Sequence, residues 1–234
     1  MTVPLSSDDS IPVVEVSARI RTVTAVVPVK PLALAKSRLT VSDELRHALV
    51  LAFAADTIAA LAANPFVSGI VVVTTDPRVA RSLDGRAVRL LRDDGTGLCL
   101  AVRAGGDAAA SWWPGAGVLI VPADLPCLVP ADVTAVLAAG QCSDGAFVPD
   151  RPGNGTTLLL SPPHRPVVTH YGTGSAASHR ALGLRCLDDA PMGARHDVDT
   201  LVDLRTAAVI GFGPATTAVL SDVGGLKALR LQAS

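Results

Sequence analysis

Short runs dominated by apolar and β-branched residues, each followed by a stretch of helical length, constrain this chain more than any other feature. Thr22 to Val29, Gly69 to Thr75, Ala87 to Leu91 and Gly117 to Val121 are such runs. A strand wetted on one face alternates apolar and polar residues, whereas a strand covered on both faces reads as one apolar block. The runs therefore predict buried strands of a mainly parallel sheet with helices on both faces. Ser42, followed by Asp43 and Glu44, suits the N-cap of the first helix, with Leu45, Leu49, Ala52, Phe53 and Ile58 on one side. Further helices are expected over Leu98 to Ala110 and over Pro130 to Ala139, with Pro130 near its start. Ala146 to Val148 and Thr156 to Ser161 flank the turn Asp150 to Gly155, which predicts a small antiparallel addition. Ser175 to Leu182 closed by Gly183, Thr200 to Ile210, and a short helix opening at Gly213 complete the helices. No internal repeat is visible.

The chain has 234 residues, 49% of them hydrophobic, enough for one substantial core. The expectation is a single domain over residues 22–220. Residues 1–21 are expected to form a mobile tail, with a short extended piece at Val13 to Val16, and residues 221–234 a C-terminal tail. A net charge of −1 and only 3% aromatics give no electrostatic or stacking basis for a nucleic-acid partner. Cys99, Cys127, Cys142 and Cys186 are widely spaced and contain no Cys-x-x-Cys, so buried free thiols are expected rather than zinc ligands or disulfides. The first residues do not have the pattern of a signal peptide. The most apolar helical stretch, Ala48 to Ala63, contains Asp56 and Thr57 and falls short of the ~20 residues a bilayer requires. A soluble, cytoplasmic protein with no membrane partner is expected. The oligomeric state stays open, a homodimer included.

Three aspartates carry the strongest chemical signal. Asp124 follows the run Gly117 to Val121 directly, and Asp197-Val198-Asp199 precedes a helix-like stretch. Carboxylates at strand ends of an α/β fold lie where such folds bind ligands. Residues two apart on an extended segment share a face, so Asp197 and Asp199 can grip one ion together. Hard cations take oxygen ligands, and Mg²⁺ commonly sits between carboxylates and substrate phosphates. The competing explanation is that Asp199 merely caps the helix starting at Thr200 and Asp197 is solvated.

The loop after the first strand holds Lys30, Lys36 and Arg38, cations of the kind a triphosphate needs; Lys30, in line with the strand end, is the first candidate. The Walker pattern is absent. Asp94-Gly95-Thr96-Gly97 opens a helix and allows close backbone approach to a nucleotide, Gly97 in particular. Gly155-Thr156 and Tyr171-Gly172-Thr173-Gly174-Ser175 form a fourth candidate, the latter opening a helix whose free N–H groups and dipole suit an anion. Either Thr173 or Ser175 could instead be a plain helix cap. Asp76 reads as the cap of another helix, and Trp112-Trp113-Pro114 as packing at a helix end. His164, His170, His179 and His196 have no metal spacing and receive no role.

Taken together, these segments resemble the guanylyltransferase family of deazaflavin coenzyme F(420) biosynthesis. The resemblance runs from about Val23 to Thr217 and is carried by Val27-Pro28-Val29-Lys30, Ala35-Lys36-Ser37-Arg38-Leu39, Ala123-Asp124-Leu125-Pro126, Gly155-Thr156, Gly172 with Ser175 through Ser178-His179-Arg180, Asp197-Val198-Asp199-Thr200, and Gly213-Pro214-Ala215-Thr216. It implies a GT-A-type, nucleotide-diphospho-sugar-transferase-like fold and transfer of GMP from GTP to phosphoenolpyruvate or 2-phospho-L-lactate. It also implies metal binding by Asp124, Asp197 and Asp199, and acceptor binding by Thr156, Gly172 and Ser175. That family usually has glycine where this chain has Ala123, and asparagine where it has Cys99. The second change removes an amide from the nucleotide side.

The expected reaction is direct nucleotidyl transfer, with Asp124 and Lys30 in the catalytic machinery, GTP and phosphoenolpyruvate as partners, and Mg²⁺ as cofactor. The same reaction on 2-phospho-L-lactate or 3-phosphoglycerate is the nearest alternative. A sugar-phosphate or molybdenum-cofactor nucleotidyltransferase and a non-catalytic GTP-binding module are the others.

Overall fold

The computed structural model describes residues 21–92, 97–141 and 143–222. Most of both expected tails, the extended piece at Val13 to Val16, Asp94-Gly95-Thr96 and Cys142 lie outside the described residues.

Seven strands form one mixed sheet in the order β3-β2-β1-β4-β6-β5-β7. Strand β1 (Val23–Pro28) pairs in parallel with β2 (Val67–Thr74) on one side and β4 (Gly117–Ile120) on the other, and β3 (Arg89–Arg92) adds in parallel to β2. Strand β6 (Thr156–Ser161) runs antiparallel to β4 and to β5 (Ala146–Pro149), and the short β7 (Arg185–Cys186) lies parallel to β5. The antiparallel addition around Asp150 to Gly155 is thus part of the same sheet. The chain first builds outward through β2 and β3 and then crosses back to place β4 beside β1. This reversal opens a crevice beyond the C-terminal ends of β1 and β4, where open α/β sheets bind ligands.

Every residue of β1 and β4 is buried, as their unbroken apolar runs require. Successive side chains point to opposite faces. Ala25 and Val27 enter one core with Leu61, Ile58 and Val133, drawn from helices α1 (Asp43–Ala62) and, after α2 (Pro77–Ser82) and α3 (Leu98–Trp112), α4 (Pro130–Gly140). Val26 enters the other with Val102 and Ala109 of α3. At Gly105, α3 approaches the sheet so closely that a Cβ would collide with Val26 and Val73. The remaining helices are α5 (Ser175–Ala181), α6 (Met192–Arg195), α7 (Leu201–Ile210) and α8 (Pro214–Asp222).

Several expectations are corrected. The run Ala87 to Leu91 does not form a buried strand: β3 is an edge strand, with Arg89, Leu90 and Arg92 exposed. The guanidinium of Arg89 lies 5.1 Å from the Trp112 ring and 4.9 Å from Trp113, so this side chain packs on the aromatic pair at the end of α3. Helix α1 has 20 residues, long and apolar enough by composition to cross a bilayer, but 61% of its apolar window is buried inside the protein. It is a core helix that starts after Ser42 as expected. Asp56 is itself buried, and its carboxylate accepts the backbone N–H groups of Ala215 and Thr216 at 2.9 Å each. It caps α8 from across the core. Of the thiols, Cys127 is buried, but Cys99 and Cys186 are only half-buried; all three are free.

Candidate active site

The three aspartates meet at the C-terminal end of β4. Beyond the strand, the Val121 N–H still bonds to Val26 O at 2.9 Å, holding the chain on the sheet up to Asp124. The Val198 N–H then donates to Asp124 O at 3.1 Å. Val198 is fully buried, in a core cluster with Leu39, Phe53 and Leu204. With Val198 turned inward, Asp197 and Asp199 project toward Asp124. One oxygen from each of Asp124, Asp197 and Asp199 lies within 4.8 Å of the others. Thr200, not Asp199, caps α7: its hydroxyl accepts the Asp203 N–H at 3.2 Å and the Asp203 carboxylate accepts the Thr200 N–H at 2.9 Å. Asp199 is therefore free for another task.

The donor set fits a divalent cation. It is all carboxylate oxygen, and Asp124 Oδ1 is buried with no hydrogen-bond partner in the protein. Burial, then the neighbouring Asp124 charge, push the Asp197 carboxyl up to about 7, against the opposing pull of Lys36. Asp199 is also penalised by burial, but Lys36 outweighs this and holds it below its ordinary value.

Lys36 is the positive centre of the site. Its Nζ donates to Asp124 Oδ2 at 2.6 Å and also to Asp199 Oδ1. Burial disfavours its charge, yet Asp124 and Asp199 more than compensate and hold its pKa above the ordinary lysine value. Its backbone is left-handed, φ 54°, a costly conformation for a non-glycine residue. The loop is clamped in that shape from both ends. Arg46 donates to Leu32 O at 3.1 Å and Ala35 O at 2.8 Å, and the Leu32 N–H donates to Asp76 Oδ2 at 2.9 Å. Asp76 also caps α2 as expected, through the Arg78 N–H. Hydrogen bonding from Arg78 holds the Asp76 carboxyl well below its usual value, so this clamp persists across neutral pH. Of the three loop cations, Lys36 sits among the carboxylates. Lys30 is exposed on the cavity wall, and Arg38 reaches Asp199 only at 3.9 Å with its side chain 69% exposed.

Gln in place of Lys36 would leave three carboxylates without their counter-charge. The metal-free K36Q protein is expected to melt roughly 2–8 °C below the wild type, and Mg²⁺ is expected to recover most of the difference. Calorimetry with and without Mg²⁺ checks this; equal melting temperatures would contradict it.

A cavity of about 610 Å³ extends from these carboxylates to the expected acceptor residues, and its wall includes Lys30, Asp124, Thr156, Gly172, Ser175 and Asp197. Thr156 opens β6, while Gly172 (φ 144°) and Gly174 (φ 72°) turn the chain into α5. The N-cap of α5 is Gly174 and makes no side-chain cap, so neither Thr173 nor Ser175 has that role. The helix terminus is less open than expected. The Ser175 N–H is spent on Gly172 O and the Ala176 N–H on Asn154 O, each at 3.1 Å, which ties α5 to the β5–β6 turn. Gly97 is the residue before α3, with φ 113°; it is Leu98 beside it that lines the cavity. Cys99 donates to Tyr171 O at 3.6 Å, joining the start of α3 to the segment that leads into α5. Tyr171, which opens the fourth candidate segment, has its hydroxyl buried without a partner on the cavity wall, whereas no local signal marks Arg46 as the residue that clamps the Lys36 loop.

A family model described as guanylyl transferase CofC like matches residues 23–218. The chain belongs to this family. It is 46% identical over 200 residues to a phosphoenolpyruvate guanylyltransferase of Streptomyces coelicolor, covering 84% of this chain and 94% of that one. A protein of the same name from Streptomyces scabiei is 45% identical over 203 residues, covering 83% and 94%. Among solved structures, a nucleotidyl transferase from Methanothermobacter superposes with a TM-score of 0.58 at 17% identity, over 81% of this chain and 97% of the other. A 4-diphosphocytidyl-2C-methyl-D-erythritol synthase superposes with 0.54 at 14%, over 81% and 99%. These two show the shared nucleotidyltransferase fold. The CofC-like domain therefore has the GT-A-type architecture that the resemblance implied.

Proposed function

We propose that this CofC-like domain, residues 22–220, transfers GMP from GTP to phosphoenolpyruvate, forming enolpyruvyl-diphospho-guanosine and pyrophosphate. The observation that carries the reading is the shared cavity: a carboxylate triad and loop cations at one end, and hydroxyl and glycine groups at the other. The names of the Streptomyces relatives favour phosphoenolpyruvate over 2-phospho-L-lactate and 3-phosphoglycerate as acceptor. A cytoplasmic setting fits these substrates.

The acceptor's phosphate oxygen attacks the α-phosphorus of GTP in line; the bond from that phosphorus to the bridging oxygen breaks, and pyrophosphate departs. The phosphate is already anionic, so no protein nucleophile is required. The protein positions two anions and offsets their charge. Asp124, Asp197 and Asp199 would hold Mg²⁺, which when bound neutralises developing charge on the phosphoryl oxygens. Lys30 and Arg38, which line the cavity, would offset the charge of the β- and γ-phosphates, and Lys36 could turn from the carboxylates to the triphosphate once metal replaces its charge. Thr156, Gly172 and Ser175 would receive the acceptor's carboxylate and phosphate. Gly97 allows the start of α3 to come close to the nucleotide.

Incubation with GTP, Mg²⁺ and phosphoenolpyruvate is expected to yield a product with the mass of the two substrates less pyrophosphate. Recovery of unchanged GTP from a sample that binds it would instead favour a non-catalytic binding module.

A further inference from the structure

His179 is fully buried in α5, a placement unrelated to any charged surface role. Its ring packs edge-on against Tyr171, with centroids 5.6 Å apart, and at a tilt against Phe147 at 5.5 Å. Both ring nitrogens are engaged. Nε2 lies 3.1 Å from the backbone nitrogen of His170, and Nδ1 lies 2.8 Å from Thr156 Oγ1.

A backbone amide can only donate, so Nε2 must accept and cannot carry a proton. The single proton of the neutral ring is then on Nδ1, which donates to Thr156 Oγ1. Burial, helped by nearby His170, pushes the ring's pKa down to about 4, in keeping with a neutral ring. With its oxygen accepting from His179, the Thr156 hydroxyl has its own proton left to give. Thr156 makes no other side-chain hydrogen bond among the described residues, and it lines the cavity. A hydroxyl oriented in this way has its proton free to donate to an anion.

We propose that His179 is a positioning residue for the acceptor: its Nδ1–H fixes Thr156 Oγ1 so that the hydroxyl donates to an oxygen of the phosphate- and carboxylate-bearing substrate. The histidine does not touch the substrate. It sets the polarity of a group that does, without adding a charge of its own to the cavity. The inference rests on the functional reading above and adds to it the means by which the acceptor end selects anions. Glutamine can reproduce both bonds, accepting from His170 N–H through Oε1 and donating to Thr156 through Nε2. Phenylalanine can reproduce neither.

The test is steady-state kinetics of the full-length protein with GTP and phosphoenolpyruvate, for wild type, H179F, H179Q, T156V and the H179F/T156V double variant. H179F and T156V are each expected to raise KM for phosphoenolpyruvate by ~10–100-fold, the loss of one hydrogen bond to a charged group, with KM for GTP unchanged. The double variant is expected to be little worse than T156V alone, because His179 acts through Thr156, and H179Q is expected to restore most of the affinity. A purely structural histidine would instead weaken GTP and acceptor binding together and add to T156V. Nitrogen NMR of the wild type gives a reading independent of activity and of whether H179F folds: protonated Nδ1 and bare Nε2 at pH 7 are expected, and the opposite tautomer overturns the proposal. Wild-type protein that transfers no GMP to phosphoenolpyruvate overturns the functional reading and this acceptor role with it. Active wild type with additive variants overturns the role of His179 alone.

Discussion

Asn in place of Asp197 is expected to abolish nearly all guanylyl transfer while leaving the protein as stable as before, or more so. Losing a carboxylate from the metal cluster forfeits several kcal/mol of transition-state stabilisation, about a 10³-fold fall in kcat/KM or more. The stability effect runs the other way because Asp197 is buried beside Asp124, and its carboxyl is pushed up to about 7 from an ordinary 3.8. A group whose folded pKa is raised favours the folded state below its unfolded pKa and loses that contribution as pH rises through the folded value. The metal-free wild type should therefore lose stability between about pH 4 and pH 7, and D197N should not share that loss. At pH 8 without metal, D197N is expected to melt at or above the wild-type temperature; with Mg²⁺ the order should reverse. Near-wild-type turnover, or a marked drop in metal-free melting temperature, would remove Asp197 from the assigned position.

The largest effect on stability alone is expected at Asp56. D56A would strand the N–H groups of Ala215 and Thr216, which the carboxylate accepts at 2.9 Å each. An unsatisfied buried donor costs about 1–3 kcal/mol; with the Thr216 N–H buried and the Ala215 N–H part-buried, a total of roughly 2–4 kcal/mol is expected, or roughly 5–15 °C in melting temperature for a domain of this size. Asn retains one acceptor oxygen and should recover part of this. The site is closely fitted, since a Cβ at Gly213 would collide with the Asp56 carboxylate. A D56A protein within 2 °C of wild type would show that α8 is not held in this way.

The parts of this molecule legible in its sequence are those where a local signal and the tertiary structure agree. The bounds of β6 match its apolar run, and β1 differs by a residue at each end, because full burial allows unbroken apolar sequence. Ser42 caps α1 through the Leu45 N–H, a purely local bond. The aspartate triad was readable because strand ends and a two-residue spacing predict convergence. Long-range pairing was not readable in the same way. Nothing local distinguishes Asp56 as the cap of a helix 159 residues away, or Lys36 from Lys30 as the cation that enters the carboxylate cluster. Edge strand β3 misled because apolar composition does not show which strand lies at the border of a sheet. His179 has no metal spacing, and its partners, a threonine and a backbone amide from neighbouring elements, leave no local pattern.

The most direct test of the account is pyrophosphate release by the purified protein with GTP and Mg²⁺, compared across phosphoenolpyruvate, 2-phospho-L-lactate and 3-phosphoglycerate. The expected result is release that requires both the metal and an acceptor and is fastest with phosphoenolpyruvate. No release with any of the three, from protein shown to bind GTP, would contradict guanylyl transfer to this class of acceptor.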